Sequence, residues 1–419
     1  MIRTSKHSLE ETNASKRKKL KMFLCAAKEA AQKYLDFLWE NQYLYCKNKN
    51  IVQFSIKDNK LDCPLMIDYK VISFETELSA RALSSIATQV CGIVRGATKK
   101  QAKRLYMLEK LKREGKNISK LEEKISNTKL VKPILSKDFS VELSSKCTDI
   151  VKNDRGPFGY FLRLKCLGES FGHIKIPVKK TKVDLKWEDG KLLNSFRISE
   201  KFIDLRYEKN VKLKLTGVSV GIDQGINTLL TLSDGQSTDN ISDIHGHTTK
   251  SIFSKLVRQR CGSKANKRTQ KHLKNHIGFC VNRLDLSKIS KINLEDMTEV
   301  RRGKYQTKLT SYFNPGVINE RLVQKAESLG VQVEFVQCTY RSQRCSKCGW
   351  VQKSNRNRKQ FCCKKCSFKS DSDLNAAENL NTELCYIPSW WRQQSLNLKG
   401  FYWTVGQELE SLISQNKQI

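Results

Sequence analysis

Val218-Ser219-Val220-Gly221-Ile222 is a short apolar run that ends in Asp223-Gln224-Gly225. Such a run, bounded by a turn signal, reads as a buried strand. Thr228–Ser233 reads as a second strand, closed by Asp234-Gly235. A basic helix follows over 249–287, with Leu273, Ile277, Val281 and Leu284 on one face. Lys291–Leu294 is a third strand, ending in Glu295-Asp296. A helix over 315–329 stops at Gly330, and Val331–Val336 is a further strand. Strand, hairpin and alternating helices make an α/β layer.

Three acids stand where a strand or tight turn ends. Asp223 follows the first strand, Glu295 ends the third, and Asp373 opens a helix in Asp371-Ser-Asp-Leu-Asn-Ala-Ala-Glu-Asn379. Any one of them alone is ordinary, since Asp is common at strand ends and helix caps. Together they supply the hard oxygen ligands that hold two Mg²⁺ about 3.5 to 4 Å apart in phosphodiester hydrolysis. Asp371 is an alternative to Asp373, with a helix-leading role as its competing explanation.

Between the second and third acids lies Cys345-Ser-Lys-Cys348, then fourteen residues, then Cys363-Lys-Lys-Cys366. Two such knuckles suit one tetrahedral Zn²⁺ held by four thiolates. Cys362 is a competing ligand that would break the two-residue spacing. Cys338 sits outside any knuckle. The other eleven of the 15 Cys have no regular spacing and read as small buried thiols.

Upstream, residues 136–214 are rich in short alternating runs: Phe158–Leu167, His173–Val178, Lys182–Trp187, Ser195–Ile198 and Val211–Leu215. This pattern predicts an antiparallel β module, a small barrel. Before it, the periodicity predicts helices over 15–40, with Ser15 as N-cap, and over 77–96. A helical hairpin is expected over 98–127, broken at Gly115-Lys116-Asn117. Residues 99–132 hold twelve Lys/Arg against four Asp/Glu.

Across all 419 residues there are 77 Lys+Arg and 42 Asp+Glu, a net charge of +35. So much self-repulsion points to a polyanionic partner, a nucleic acid. Hydrophobic residues make up 39 %, enough for real cores. No apolar stretch approaches the roughly 18 to 20 residues of a membrane span. The polar N-terminus lacks the apolar segment of a signal peptide. A soluble, intracellular, multidomain protein is expected, without a membrane partner.

The ordered set Val-Gly-Ile-Asp223-Gln-Gly, Ile-Asn-Leu-Glu295-Asp-Met, Tyr-Arg-Ser-Gln-Arg-Cys345-Ser-Lys-Cys348-Gly and Asp373-Leu-Asn-Ala-Ala-Glu-Asn-Leu resembles the TnpB family of transposon-encoded RNA-guided nucleases. It resembles equally the small type V CRISPR effectors. The resemblance covers roughly 215–382. It implies a multidomain α+β protein with an RNase H-like (RuvC) nuclease over 215–340 and 370–419, the latter including a C-terminal extension. It implies a zinc ribbon at 341–369 that binds target nucleic acid, a helical recognition lobe over 1–135 and a wedge-like β-barrel over 136–214. Asp223, Glu295 and Asp373 would be catalytic and hold two Mg²⁺, and Cys345, Cys348, Cys363 and Cys366 would hold one Zn²⁺. The implied activity is RNA-guided cleavage of DNA, with guide RNA and double- and single-stranded DNA as partners, in the cytoplasm of a prokaryotic cell at its nucleoid. The protein would act as a monomer or homodimer. The alternatives are a nuclease-inactive RNA-guided repressor and an RNase H-like transposase.

Three departures accompany the resemblance. Ser367 follows the second knuckle where Gly is usual, Arg341 stands where Thr is common, and residues 1–14 show no opening strand. Lys99, Lys100, Lys103, Arg104, Arg356 and Arg358 are candidate nucleic-acid contacts. His245-Gly-His247 reads as a loop, and His272 and His276 as phosphate-facing or solvated. Trp390, Trp391 and Trp403 read as a packed C-terminal extension.

Overall fold

The computed structural model describes residues 1–41, 55–57, 60–62, 65–115, 117–153, 155–296, 307–388, 391 and 396–417. The chain divides into two compact units, Met1–Asn210 and Val211–Ile419.

The first unit opens with a strand, Ile2–Ser8, which corrects the expectation for residues 1–14. It pairs antiparallel with Phe202–Glu208, Ile2 opposite Glu208 and Ser8 opposite Phe202. Its inward residues are the polar Ser5 and His7, so no apolar alternation betrays it. They join a buried polar cluster instead. Ser5 Oγ lies 2.9 Å from Thr181 Oγ1, and His7 Nε2 lies 3.3 Å from Asp184 Oδ1. Tyr207 donates to Asp184 at 2.6 Å, and its hydroxyl lies 3.0 Å from that of Tyr160. Burial pushes the Asp184 carboxyl up, but hydrogen bonds from His7, Tyr207 and Thr181 outweigh that and hold it well below the usual range.

The sheet continues from Phe202–Glu208 to Lys191–Ile198 and Val141–Leu143. A second sheet holds Thr148–Lys152, Tyr160–Leu164 and Ile174–Val178. Two of the expected strands are different. Lys182–Lys186 is a short helix, because Thr181 and Asp184 form a reciprocal capping box that leaves Val183 and Leu185 exposed. Residues 211–215 form no strand, and Leu215 is 98 % exposed.

Two long helices complete this unit. Ala14–Asn41 begins one residue earlier than read, with Asn13 Oδ1, not Ser15, accepting from the Lys16 N–H at 3.0 Å. Ala80–Arg113 runs unbroken through both expected helical stretches and ends before Gly115, at φ 63°. Ser119–Ser126 follows as a separate helix. Phe23, Tyr34, Ile86 and Val90 from the helices share one core with Leu162, Ile176, Phe196 and Leu205 from the strands.

The second unit is built on a four-stranded sheet in the order Leu230–Leu232, Val218–Gln224, Ile289–Asp296, Gln332–Gln337. The first pair is antiparallel and the other two are parallel. The helices Thr249–Arg258, Lys264–Arg283 and Pro315–Ser328 bury Leu256, Ile277 and Leu322 in a core with Ile222 and Ile292. The expected single helix over 249–287 is two, because Gly262 takes φ 78° and Ser263 caps the second. Ser372–Leu380 packs on Val218–Gln224. A small sheet of Arg356–Asn357, Gln360–Cys362 and Lys369–Asp371 leads into that helix. Near the C-terminus, Phe401–Tyr402 pairs with Trp350–Val351, and Trp391 and Trp403 are buried with Val351 and Leu412. These two tryptophans pack as expected, while Trp390 lies outside the described residues. Among the described residues no helix is long and apolar enough to cross a membrane.

Candidate active site and cysteine ribbon

Asp223 lies in the strand Val218–Gln224 and Glu295 in Ile289–Asp296. These strands are parallel, with Ile222 opposite Leu294, so the two acids follow side by side. Asp373 is the second residue of the helix Ser372–Leu380. Asp371 caps that helix: its Oδ1 accepts from the N–H groups of Asp373 at 2.8 Å and Leu374 at 3.2 Å. The cap role occupies Asp371 and leaves Asp373 to the site.

The electrostatics tie the three acids together. Burial, then repulsion by Glu295 and Asp373, raises the Asp223 carboxyl well above the usual range, and Asp223 is only 8 % exposed. Burial pushes Glu295 up to about 7, against the pull of Arg356 and Arg341. Burial and Asp371 raise Asp373, while Arg356 and Lys359 oppose them. Arg356 Nη2 is 3.2 Å from Asp373 Oδ1. Asp223 is buried and Glu295 and Asp373 half-buried, and Arg356, Arg341 and Lys359 compensate their charges only in part. Hard oxygen donors in that condition fit divalent cations such as Mg²⁺.

Gly221 sets how closely the third acid approaches the first. A Cβ there would stand 2.0 Å from the Ala377 carbonyl oxygen and 2.8 Å from the Asn381 nitrogen. Gly221→Ala is therefore expected to push the helix bearing Asp373 off the sheet. Displacements near 1 Å lower catalysis about a hundredfold. A rate assay should show that loss with all three acids intact, and an unchanged rate would mean the helix position is not critical.

The sulfur atoms of Cys345, Cys348, Cys363 and Cys366 all lie within 4.8 Å of one another. Cys345 and Cys366 are 3.7 Å apart, and Cys348 and Cys363 are 3.6 Å apart. Four thiolates about 2.3 Å from one zinc require separations of this size, so the residues fit the ion. Cys362 stands in the strand Gln360–Cys362, outside the cluster, as does Cys338. The two knuckles close alike: Gly349 takes φ 79° and Ser367 takes φ 58°. The usual Gly after the second knuckle is thus replaced by a residue in the same left-handed conformation.

Arg341 and Arg344 hold the ribbon to the Asp373 helix. Arg341, in the place of the common Thr, donates to the carbonyls of Asn379, and of Thr382 at 2.8 Å, at the C-terminal end of that helix. Arg344 donates to Asn379 Oδ1 at 2.5 Å and to the Trp403 carbonyl at 2.7 Å.

Among the candidate nucleic-acid contacts, Lys99, Lys100 and Lys103 are exposed on Ala80–Arg113, whereas Arg104 is engaged by Thr128 Oγ1 at 2.7 Å. Arg358 is exposed at the ribbon hairpin. His245 and His247 lie in a turn region as expected. His272 stays partly exposed, its Nε2 2.6 Å from Asp243 Oδ2, whereas His276 is not solvent-facing: it is buried and bonds Thr249 Oγ1 at 3.0 Å. One residue escaped sequence reasoning. Lys359 Nζ sits 3.0 Å from Thr228 Oγ1 and 3.1 Å from Asp239 Oδ2, and its only sequence signal is its place beside Arg358.

Residues 316–380 match the family model described as Cas12f1-like, TNB domain. They include the four cysteines and Asp373. Within the curated proteins, the chain is similar to a CRISPR-associated endodeoxyribonuclease Cas12f1 of Sulfoacidibacillus thermotolerans, 33 % identical over 91 residues, which is 21 % of each chain. The match thus spans about a fifth of that relative. Among solved structures, a Cas12f1-sgRNA-target DNA complex aligns at 15 % identity and a TM-score of 0.47, over 91 % of this chain and 99 % of that one. A CasPhi-2 (Cas12j) structure bound to crRNA and phosphorothioate DNA aligns at 10 % identity and a TM-score of 0.43, over 91 % of each chain. The similarity to TnpB proteins and small type V effectors is borne out by the family and curated matches.

Proposed function

We propose that this chain is an RNA-guided DNA endonuclease with one RuvC-type site formed by Asp223, Glu295 and Asp373. The observation that carries this reading is the buried Asp223 carboxylate repelled by the half-buried Glu295 and Asp373, with Arg356 from the cysteine ribbon 3.2 Å from Asp373. The strand order, with one antiparallel and two parallel neighbours, supports an RNase H-like core split around a ribbon at 341–369. Residues 1–135 would serve as recognition lobe and 136–214 as wedge module. Retention of all three acids favours a nuclease over an inactive repressor.

Asp223, Glu295 and Asp373 would hold two Mg²⁺, which when bound supply an activated water and stabilise charge on the leaving 3′ oxygen. The chain's own part is to bury Asp223 and half-bury the other two, fix two of them on paired strands and the third on the helix above, and keep Arg356 at hand. Arg356 spends Nη2 on a single oxygen of Asp373 and Nε on the Arg358 carbonyl, which leaves Nη1 to meet the phosphodiester. In the guided reaction, base pairing reads the sequence and protein reads duplex shape and a short adjacent motif.

The test is purification from the native host. The chain should co-purify with RNA, and salt should strip that RNA steeply because each neutralised phosphate releases counterions. Replacing Lys99, Lys100 and Lys103 together by Ala should lower the slope of log affinity against log salt by roughly 2 to 3. An RNA-free preparation that still cleaves programmably would overturn the proposal.

A further inference from the structure

His272 and His276 lie four residues apart on the helix Lys264–Arg283, the spacing by which a helix offers two imidazoles to one ion. Their sequence neighbours supply no third donor, but the fold does. Ser242 pairs with Thr248 across a tight turn, in which the Asp243 N–H bonds the His247 carbonyl at 3.0 Å and Gly246 takes φ 74°. Asp243 Oδ1 accepts from the N–H groups of His245 at 2.9 Å and His247 at 3.0 Å, which fixes the carboxylate and leaves Oδ2 to the two rings. Oδ2 lies 2.6 Å from His272 Nε2 and 4.0 Å from His276 Nδ1. The His247 ring stands 5.3 Å from that of His272, edge to face. The three acids and the four ribbon cysteines take no part in this cluster.

His276 is the member that a hydrogen-bonded clasp does not explain. It is 1 % exposed, and its Nε2 lies 3.0 Å from Thr249 Oγ1 and 3.4 Å from Cys280 Sγ. Its buried Nδ1 has no hydrogen-bond partner among the described residues. A clasp between His272 and Asp243 accounts for the contact at 2.6 Å, yet it leaves that nitrogen facing a carboxylate oxygen it does not reach. A metal ion accounts for both. Donors about 2.0 to 2.2 Å from a tetrahedral ion stand about 3.3 Å apart, between the two observed spacings. Among the described residues only the ribbon cysteines have their donors gathered within 4.8 Å of one another, so here the imidazoles must draw together as the ion binds. The His272 side chain, 27 % exposed, has room for that swing. A ligating imidazole is oriented through its other nitrogen, and Thr249 holds His276 in this way. Burial pulls His276 below the usual range, which favours the neutral ring that binds metal.

We infer that Asp243, His272 and His276 form a transition-metal site, with His247 or water as fourth donor, that takes a borderline divalent ion such as Zn²⁺ and clamps the 242–248 turn to the helix Lys264–Arg283. Two imidazoles and a carboxylate suit Zn²⁺, Co²⁺ or Ni²⁺ better than the harder Mg²⁺. Because the site must close around its ion, it binds more weakly than four thiolates and exchanges with added metal. The inference goes beyond the nuclease reading and does not depend on it.

The test is a Co²⁺ titration of the full chain with its co-purified RNA, dialysed until only the ribbon's zinc remains. Excess Mg²⁺ is kept present to occupy the phosphates and the three acids. The wild type should take up about one Co²⁺ per chain, with the visible bands of nitrogen- and oxygen-bound cobalt and no thiolate charge-transfer band. His272→Ala, at a partly exposed position, should weaken that uptake on the order of a hundredfold, and Thr249→Val by about tenfold, since partners of a ligating ring contribute about 10- to 100-fold. Added Zn²⁺ should displace the cobalt, and should raise the melting temperature of the wild type but not of His272→Ala. Equal uptake by wild type and His272→Ala would mark the cobalt as adventitious, and a thiolate band would place it in the ribbon. Either of those results, or no uptake by the wild type, overturns the site.

Discussion

Asp223→Ala is expected to abolish DNA cleavage, by about a thousandfold or more, or roughly 4 kcal/mol of activation free energy. Asp223 is buried between two strand neighbours and faces the other two acids, so no other side chain replaces its oxygens. Guide-dependent DNA binding should persist, because phosphate contacts lie elsewhere on a +35 chain. The same substitution should raise the melting temperature of the metal-free protein. At neutral pH it removes a buried group that is repelled by Glu295 and Asp373, and relieving such repulsion stabilises the fold while costing function. Cleavage and calorimetry on one preparation check both effects. Normal cleavage, or a lower melting temperature without metal, would contradict the assignment.

Cys348→Ser is expected to empty the ribbon of its one zinc and unfold it. The ribbon's own core is small, with Cys345, Phe361 and Cys363 as its fully buried members, so metal binding must supply most of its folding free energy. Elemental analysis should fall from about one zinc per chain to none, and proteolysis should open within 341–369. Cleavage should fall as well, since Arg356 reaches Asp373 only through the folded hairpin. Retained zinc would assign the fourth ligand to Cys362 or another thiol.

The parts of the fold that are legible are those that carry a local signal: an apolar run, a helical period or a fixed cysteine spacing. The strands containing Asp223 and Glu295, the helix Pro315–Ser328 and the knuckle spacing all carry local signals. What escaped depends on distant partners or on capping. Ile2–Ser8 buries Ser5 and His7 against a strand some two hundred residues away. Lys182–Lys186 has the apolar–polar–apolar look of a strand, yet its capping box wins. The break at Gly262-Ser263 was visible in residue type but masked by the basic run around it. At the site, the acids were readable from strand ends. The Arg356–Asp373 pair was not, because it depends on hairpin register, in which Arg356 faces Phe361 and Gln360 faces Asp371.

The single core of Met1–Asn210 bears on how such proteins can be recombined. Phe23 and Tyr34 of the first helix and Ile86 and Val90 of the second share their apolar surroundings with strand residues Leu162, Phe196 and Leu205. Grafting the helices from a relative without those strands would leave two mismatched halves of one interior, with voids that destabilise by kilocalories each. Chimeras that exchange Met1–Asn210 with a relative should therefore join at Asn210-Val211 and carry helices and strands across as one inherited block.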